Sequence, residues 1–145
     1  MNENKSNENK LKVGGVFTFE QIRDGKVIDT WVDKNIVVDE GLTYILDSAL
    51  SSGTQSPTFY VALFKNNYTP IAGNVISTFP SSGVANEATT EYDEVTRPVW
   101  TEAGVSAKTI TNSASPAVFT FNTTVSINGA FLVNPYDSES IRTAL

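Results

Sequence analysis

The sequence predicts a mainly β protein, a β-sandwich-like two-layer fold with one packed α-helix at about residues 39–50. Most of the 145-residue chain consists of short runs of β-branched and aromatic residues, bounded by turn-forming residues, which are typical of strands. One stretch, "DEGLTYILDSAL", instead places its apolar residues at helical spacing. No segment of about 20–50 residues repeats, which argues against solenoids and propellers.

The first ten residues, "MNENKSNENK", contain no apolar side chain after Met1. Such a segment cannot offset the entropy of its own ordering, so residues 1–12 are predicted to be a flexible arm, disordered or extended. Residues 13–145 are predicted to form a single β-rich domain. Two interpretations of the arm remain open: a flexible tail, or a segment that orders only on a neighbouring subunit.

A β-hairpin is predicted in the stretch "GVFTFEQIRDGKVIDTWV". Asp-Gly between two β-type runs is a strong signal for a type I′ turn, because both turn residues then adopt positive φ. Pairing across a turn at 24–25 sets Ile22 opposite Val27 and Phe19 opposite Thr30.

The helix follows the hairpin. Asp39 either caps its N-terminus or lies in the first turn, where a carboxylate favours the positive end of the helix dipole. Gly53 follows the predicted C-terminus. An apolar stripe is expected to cover one face of a sheet, and it comprises Leu42, Ile45, Leu46 and Leu50.

The remaining elements are predicted from local composition. The run "TFYVALFK" at 58–65 is apolar on both alternating faces, which predicts a central strand covered on both sides. Residues 66–93 form a long polar connection of the kind that is often functional or mobile, with Tyr68 and Phe79 expected to be exposed. Strand structure resumes at 94–103, where Pro98 favours a sheet edge or a bulge, and again at 117–134. Residues 128–129 form either a hairpin turn or a bulge within one strand, and a bulge or bend is the preferred interpretation.

Residue types that are missing exclude several functions. The chain has no His and no Cys, which excludes disulfides, His-based catalytic triads and ordinary zinc sites. The net charge of −6 disfavours nucleic acid partners, and no apolar run reaches the ~20 residues of a membrane span. No phosphate-binding loop is present either, so no cofactor is predicted.

An acidic segment at 87–94 offers the remaining chemistry. It contains Glu87, Glu91, Asp93 and Glu94, whose spacing does not match a calcium loop. A solvated acidic loop is the preferred interpretation, with metal binding as the alternative, and Arg97 is expected to form a surface ion pair of small value. A glycosidase pair such as Asp93 and Glu102 is a further alternative, but its signal is not specific, because a chain with sixteen acidic residues always contains some pair.

Four phrases resemble a group of small structural proteins of tailed bacteriophages, over roughly residues 14–134. They are "N-x-V-V-x-x-GL" before and into the helix, "YVALFKNNYTP", the text from Glu87 to Pro98, and the closing "GAFL". None of these phrases is a catalytic motif. Members of the group continue with further β structure after the last phrase, whereas here "DSESIRTAL" ends the sequence. Either those strands are missing, or a neighbouring subunit completes the sheet.

The resemblance implies a non-enzymatic virion component, made in the host cytoplasm and located on the capsid exterior. The leading role is capsid decoration: binding the outer lattice of the major capsid protein, as a homo-oligomer, and stabilising the head. The alternative is a tail or tail-fibre protein that binds a receptor. The expected contacts lie in the arm and in the 66–93 connection, and the candidate residues are Asn4, Lys5, Asn9, Lys10, Tyr68, Pro70, Phe79 and Pro80.

Overall fold

The computed structural model describes residues 12–134 of the chain. These residues fall into two compact units, the first ending at Val37 and the second beginning at Val38. The assignment of residues 13–145 to a single domain stays a prediction. The predicted fold class is confirmed: the structure is mainly β, with two antiparallel sheets and a single helix in the described part.

The first unit is an antiparallel hairpin of β1 (Gly15–Arg23) and β2 (Lys26–Asn35). Asp24 and Gly25 have φ values of 50° and 73°, which confirms the predicted type I′ turn. Ile22 pairs with Val27 as predicted.

The predicted pairing of Phe19 with Thr30 is wrong, because Phe19 pairs with Trp31. The register shifts between Gln21 and Ile22, which leaves Ile28 as an extra residue in β2. A β-bulge of this kind offsets every later pair by one residue.

The helix α1 spans Asp39–Leu50, with Val38 at the N-cap position and no side-chain cap. Of the two alternatives for Asp39, the structure therefore places it in the first turn. The backbone N–H of Asp39 donates to the carbonyl of Ala72 at 2.9 Å, which ties the helix to its own unit. At the other end, Ser51 and Gly53 both donate to the carbonyl of Asp47 and close the last turn.

The sheet of the second unit has the strand order β4–β3–β5. Its centre is β3 (Phe59–Phe64), flanked by β4 (Val99–Trp100) and β5 (Gly129–Val133). The last four residues of β3 are buried, so the prediction of a central, doubly covered strand is confirmed. The edge position expected from Pro98 is confirmed as well, but only two residues of 94–103 form a strand.

The long connection after β3 folds back onto the sheet. Lys65 and Asn66 donate backbone hydrogen bonds to the carbonyls of Asn86 and Ala85 at 2.9 and 3.0 Å, and Ala88 donates to Leu63 at 2.9 Å. Residues 85–88 thus continue the pairing along one edge of β3. In the C-terminal region, 117–128 is mostly irregular, and only β5 realises the strand predicted over 117–134. No turn forms at 128–129, because Asn128 donates to the Phe64 carbonyl at 2.9 Å and leads directly into β5.

Candidate functional site

The interface residues predicted from sequence have different environments. Asn4, Lys5, Asn9 and Lys10 lie outside the described residues. Tyr68, Pro70 and Pro80 are half-buried, and Phe79 is only 7% exposed. The expectation that Phe79 is exposed is therefore wrong.

Phe79 is instead the centre of the aromatic core of the second unit. Its ring contacts Phe64, Tyr68 and Phe131 edge-on, with centroid separations of 5.6, 5.7 and 5.2 Å. Edge-to-face contacts of this kind add to the stabilisation by burial. The long connection thus supplies a core side chain, and its ring cannot meet a partner without unfolding the unit.

In contrast to Phe79 of the 66–93 connection, several apolar side chains of α1 are exposed. Leu42, Leu46 and Leu50 are 37, 55 and 82% exposed, so the predicted packing of these three stripe residues against a sheet is wrong. The fourth stripe residue, Ile45, is half-buried and forms the inward face together with Tyr44. The Tyr44 ring meets Phe59 of β3 edge-on at 5.8 Å, and its hydroxyl accepts a hydrogen bond from the backbone N–H of Ser56.

This exposed leucine row, Leu42, Leu46 and Leu50, runs along one side of α1 at successive i, i+4 positions. The last two leucines line a shallow groove whose other members are Thr43, Asp47 and Ser51. Single exposed leucines are ordinary, but three in one row along a helix are a candidate protein contact surface. The leucine row is therefore the first candidate site.

The carboxylates of the acidic segment at 87–94 make contacts that stabilise the fold. Arg97 donates through Nε to one carboxylate oxygen of Glu87 at 2.7 Å and through Nη2 to the other at 2.6 Å. The two side chains are 3 and 5% exposed, so the expectation of a surface ion pair is wrong. A bidentate pair in this environment is short and charge-assisted.

Glu91 is held by similar contacts. Its carboxylate accepts a hydrogen bond from Lys65 Nζ at 2.5 Å and from the backbone N–H groups of Thr89 and Thr90 at 2.9 and 3.1 Å. Burial raises the pKa of Glu91, but the hydrogen bonds from Lys65 and the backbone together lower it by more. The net pKa therefore lies below its usual value of 4.5.

The last two acidic residues of the segment hydrogen-bond to the loop that contains Thr120 and Asn122. Asp93 accepts from the side-chain amide of Asn122 at 3.0 Å, and both oxygens of Glu94 accept from the backbone N–H of Thr120 at 3.0 Å. All four carboxylates are thus engaged in structural contacts. Within residues 12–134, no three acidic side chains are grouped so that they could hold a metal ion.

The phrases that carry the phage resemblance build this same core. "YVALF" is most of β3, Glu87 and Arg97 form the buried pair, and "GAFL" begins β5. The glycine of the last phrase has a steric reason, because a Cβ at Gly129 would clash with the ring of Phe64. The residues of these segments therefore contribute to the fold.

The hairpin of the first unit is the second candidate site. Side chains alternate between its two faces. One face carries an aromatic row of Phe17, Phe19 and Trp31, whose neighbouring rings stack at centroid distances of 5.9 and 5.1 Å. The other face carries exposed aliphatic residues, namely Val16, Ile22, Val27 and Val32. Apolar surface on both faces of a two-stranded sheet is unusual for a finished structure.

Comparisons with known proteins add no relative. No protein-family model, curated protein or solved structure matches this chain. Among the described residues, no helix is long and apolar enough to cross a membrane.

Proposed function

We propose that this chain is a non-enzymatic structural protein of a tailed bacteriophage that decorates the capsid by binding the outer surface of the major capsid protein. The proposal starts from the resemblance of the four phrases described above. The packing of the acidic segment supports it, since carboxylates that could have formed a catalytic pair hold loops together instead. A composition rich in Ser and Thr, with no His or Cys, suits a building block.

The exposed leucine row is the observation that carries the proposal. Leu46 and Leu50 are the most exposed apolar side chains of α1 and lie one helical turn apart. An amphipathic helix that lays leucines into an apolar groove is a common mode of protein recognition. The proposed occupant is the major capsid protein, whose repeated lattice offers the same groove many times. Repetition over the shell then turns a modest single contact into a large effect on head stability.

The test is binding of purified protein to heads that lack it, measured by cosedimentation. Replacing both Leu46 and Leu50 by Ser removes the most exposed part of the row. Because burying one leucine contributes about 1.5–3 kcal/mol, we expect the affinity to fall at least about a hundredfold. Far-UV circular dichroism should stay unchanged, since neither side chain packs in the core.

The matched control is Val105→Ser, which removes an equally exposed apolar side chain elsewhere in the same unit. It should bind heads like the wild type. Equal binding by the leucine variant and the control would overturn the assignment of the surface. Binding of the wild type to purified tails and not to heads would overturn decoration in favour of the tail or tail-fibre role.

A further inference from the structure

The β1–β2 hairpin is incomplete as a sheet. In the described part of the first unit it has two strands only, and apolar side chains are exposed on both faces. A two-stranded hairpin is marginally stable in water, whereas three or more strands with an apolar face are stable. Its two long edges are therefore the places at which further strands could add.

Two aspartates accept hydrogen bonds from backbone N–H groups of β2. The backbone N–H of Thr30 donates to Asp29 Oδ1 at 2.8 Å, and that of Lys34 donates to Asp33 Oδ1 at 2.9 Å. Because each of these N–H groups has a side-chain acceptor, we assign both to the outer edge of β2, which faces away from β1. Carboxylates that occupy outward N–H groups block an incoming strand, and charges at an edge are a common protection against pairing.

The outer edge of β1 has the opposite character. Val16 and Glu20 pair with Lys34 and Thr30. In a non-hydrogen-bonded pair the backbone groups of both residues point away from the partner, so those of Val16 and Glu20 face the outer edge of β1. In the described residues no carboxylate accepts from these N–H groups of β1. Between Gly15 and Ile22 the strand has one charged residue, no Lys and no Pro, so it lacks the usual protections of an edge.

We infer that β1 pairs antiparallel with β1 of a second copy of this chain, giving a four-stranded sheet in the order β2–β1–β1–β2. Full overlap of the two strands places Phe19 on the twofold axis and Val16 opposite Ile22 of the second copy. Glu20 then lies opposite Thr18, which avoids two like charges facing each other. The aromatic row continues across the axis, from Trp31 and Phe19 of one copy to Phe19 and Trp31 of the other.

The charge distribution favours this occupant. Residues 12–37 contain four acidic and four basic side chains, whereas residues 38–134 contain eight acidic and only three basic ones. Two hairpins can therefore meet without net repulsion, while the acidic surfaces of the second units repel each other. The pairing does not depend on the proposed role in the virion, because it concerns the isolated chain.

The first test is sedimentation of the purified full chain from micromolar to millimolar concentration. We expect a monomer–dimer equilibrium for the wild type. Thr18→Pro removes an outward N–H from β1, and Thr30→Pro removes one from β2, so the two variants make the same change on opposite edges. Thr18→Pro should raise the dimer dissociation constant at least about tenfold, and Thr30→Pro should leave it unchanged. A wild type that stays monomeric, or equal effects of both variants, would overturn the inference.

The second test uses the absence of cysteine from the chain, and it remains decisive if a proline variant fails to fold. Across the twofold axis, Cα atoms at position 19 would lie about 4.5 Å apart, within disulfide range. Cα atoms at position 31 would be separated by three strand spacings, about 14 Å. Under mild oxidation Phe19→Cys should give a disulfide-linked dimer and Trp31→Cys should not. Crosslinking of both variants to the same extent, or of neither, would refute the register. Since no particles are used in either test, failure here leaves capsid binding to be judged by its own experiment.

Discussion

Replacing Arg97 by Met measures what the buried ion pair contributes to stability. Methionine keeps much of the apolar stem but removes the charge and both hydrogen bonds to Glu87, so a carboxylate with 5% exposure loses its cation. Removing one member of a buried pair costs about 3–5 kcal/mol. We expect the variant to lose about 3–5 kcal/mol at pH 7.

The assay is urea unfolding followed by far-UV circular dichroism, with each variant compared with the wild type at the same pH. Adding Glu87→Gln to the variant should restore much of the loss, because no buried charge is then left.

The control is Lys108→Met, which removes an exposed cation from the same unit and should change the unfolding free energy by less than about 0.5 kcal/mol. A deficit for Arg97→Met as small as that of this control would refute the reasoning. It would show that the pair contributes as little to the free energy of unfolding as a surface ion pair does.

Three further predictions concern packing and pH. Gly129→Ala should cost about 1–3 kcal/mol in urea unfolding because its Cβ overpacks the core, whereas Gly73→Ala, where a Cβ meets nothing, should be nearly neutral. Phe79→Ala should cost about 3–5 kcal/mol and Leu46→Ala less than about 1 kcal/mol, and equal costs would contradict the burial described here. The stabilisation from the lowered pKa of Glu91 should be complete above its usual value of 4.5 and be lost as the pH falls through the lower folded value. Acid titration of unfolding should show this loss in the wild type and not in Glu91→Gln.

Local signals predicted much of the fold. The Asp-Gly turn requires a positive φ at both turn residues, and it sets the pairing of Ile22 with Val27, which lie close to it in the sequence. The central position of β3 was also predictable, because a strand apolar on both alternating faces must be covered twice. The edge position of β4 follows from the proline before it, which lacks a backbone donor.

Other features depend on information that is not local. The bulge near Gln21 has no signature in the sequence, yet it shifts the partner of Phe19 by one residue. Which face of α1 packs inward could not be predicted either. Both the leucines and Tyr44 lie at helical spacing, and the contacts of Tyr44 with Phe59 and Ser56 decide that the tyrosine faces inward.

The candidate site was the least predictable part. Composition made residues 66–93 resemble an exposed interface loop, but one phenylalanine in it packs against three rings from elsewhere in the chain. Sequence spacing did identify the leucines of α1 as a row. It assigned them to the core, because an apolar stripe has the same pattern whether a sheet of the same chain or a partner covers it.

Asp29 and Asp33 also determine how far assembly can proceed. A molecule with one pairing edge joins one other molecule through a twofold axis and then has no edge left, so the product is closed. A molecule with two pairing edges would keep adding copies and grow into a ribbon without a defined end. The two carboxylates on β2 thus limit assembly to a dimer and prevent growth into a polymer.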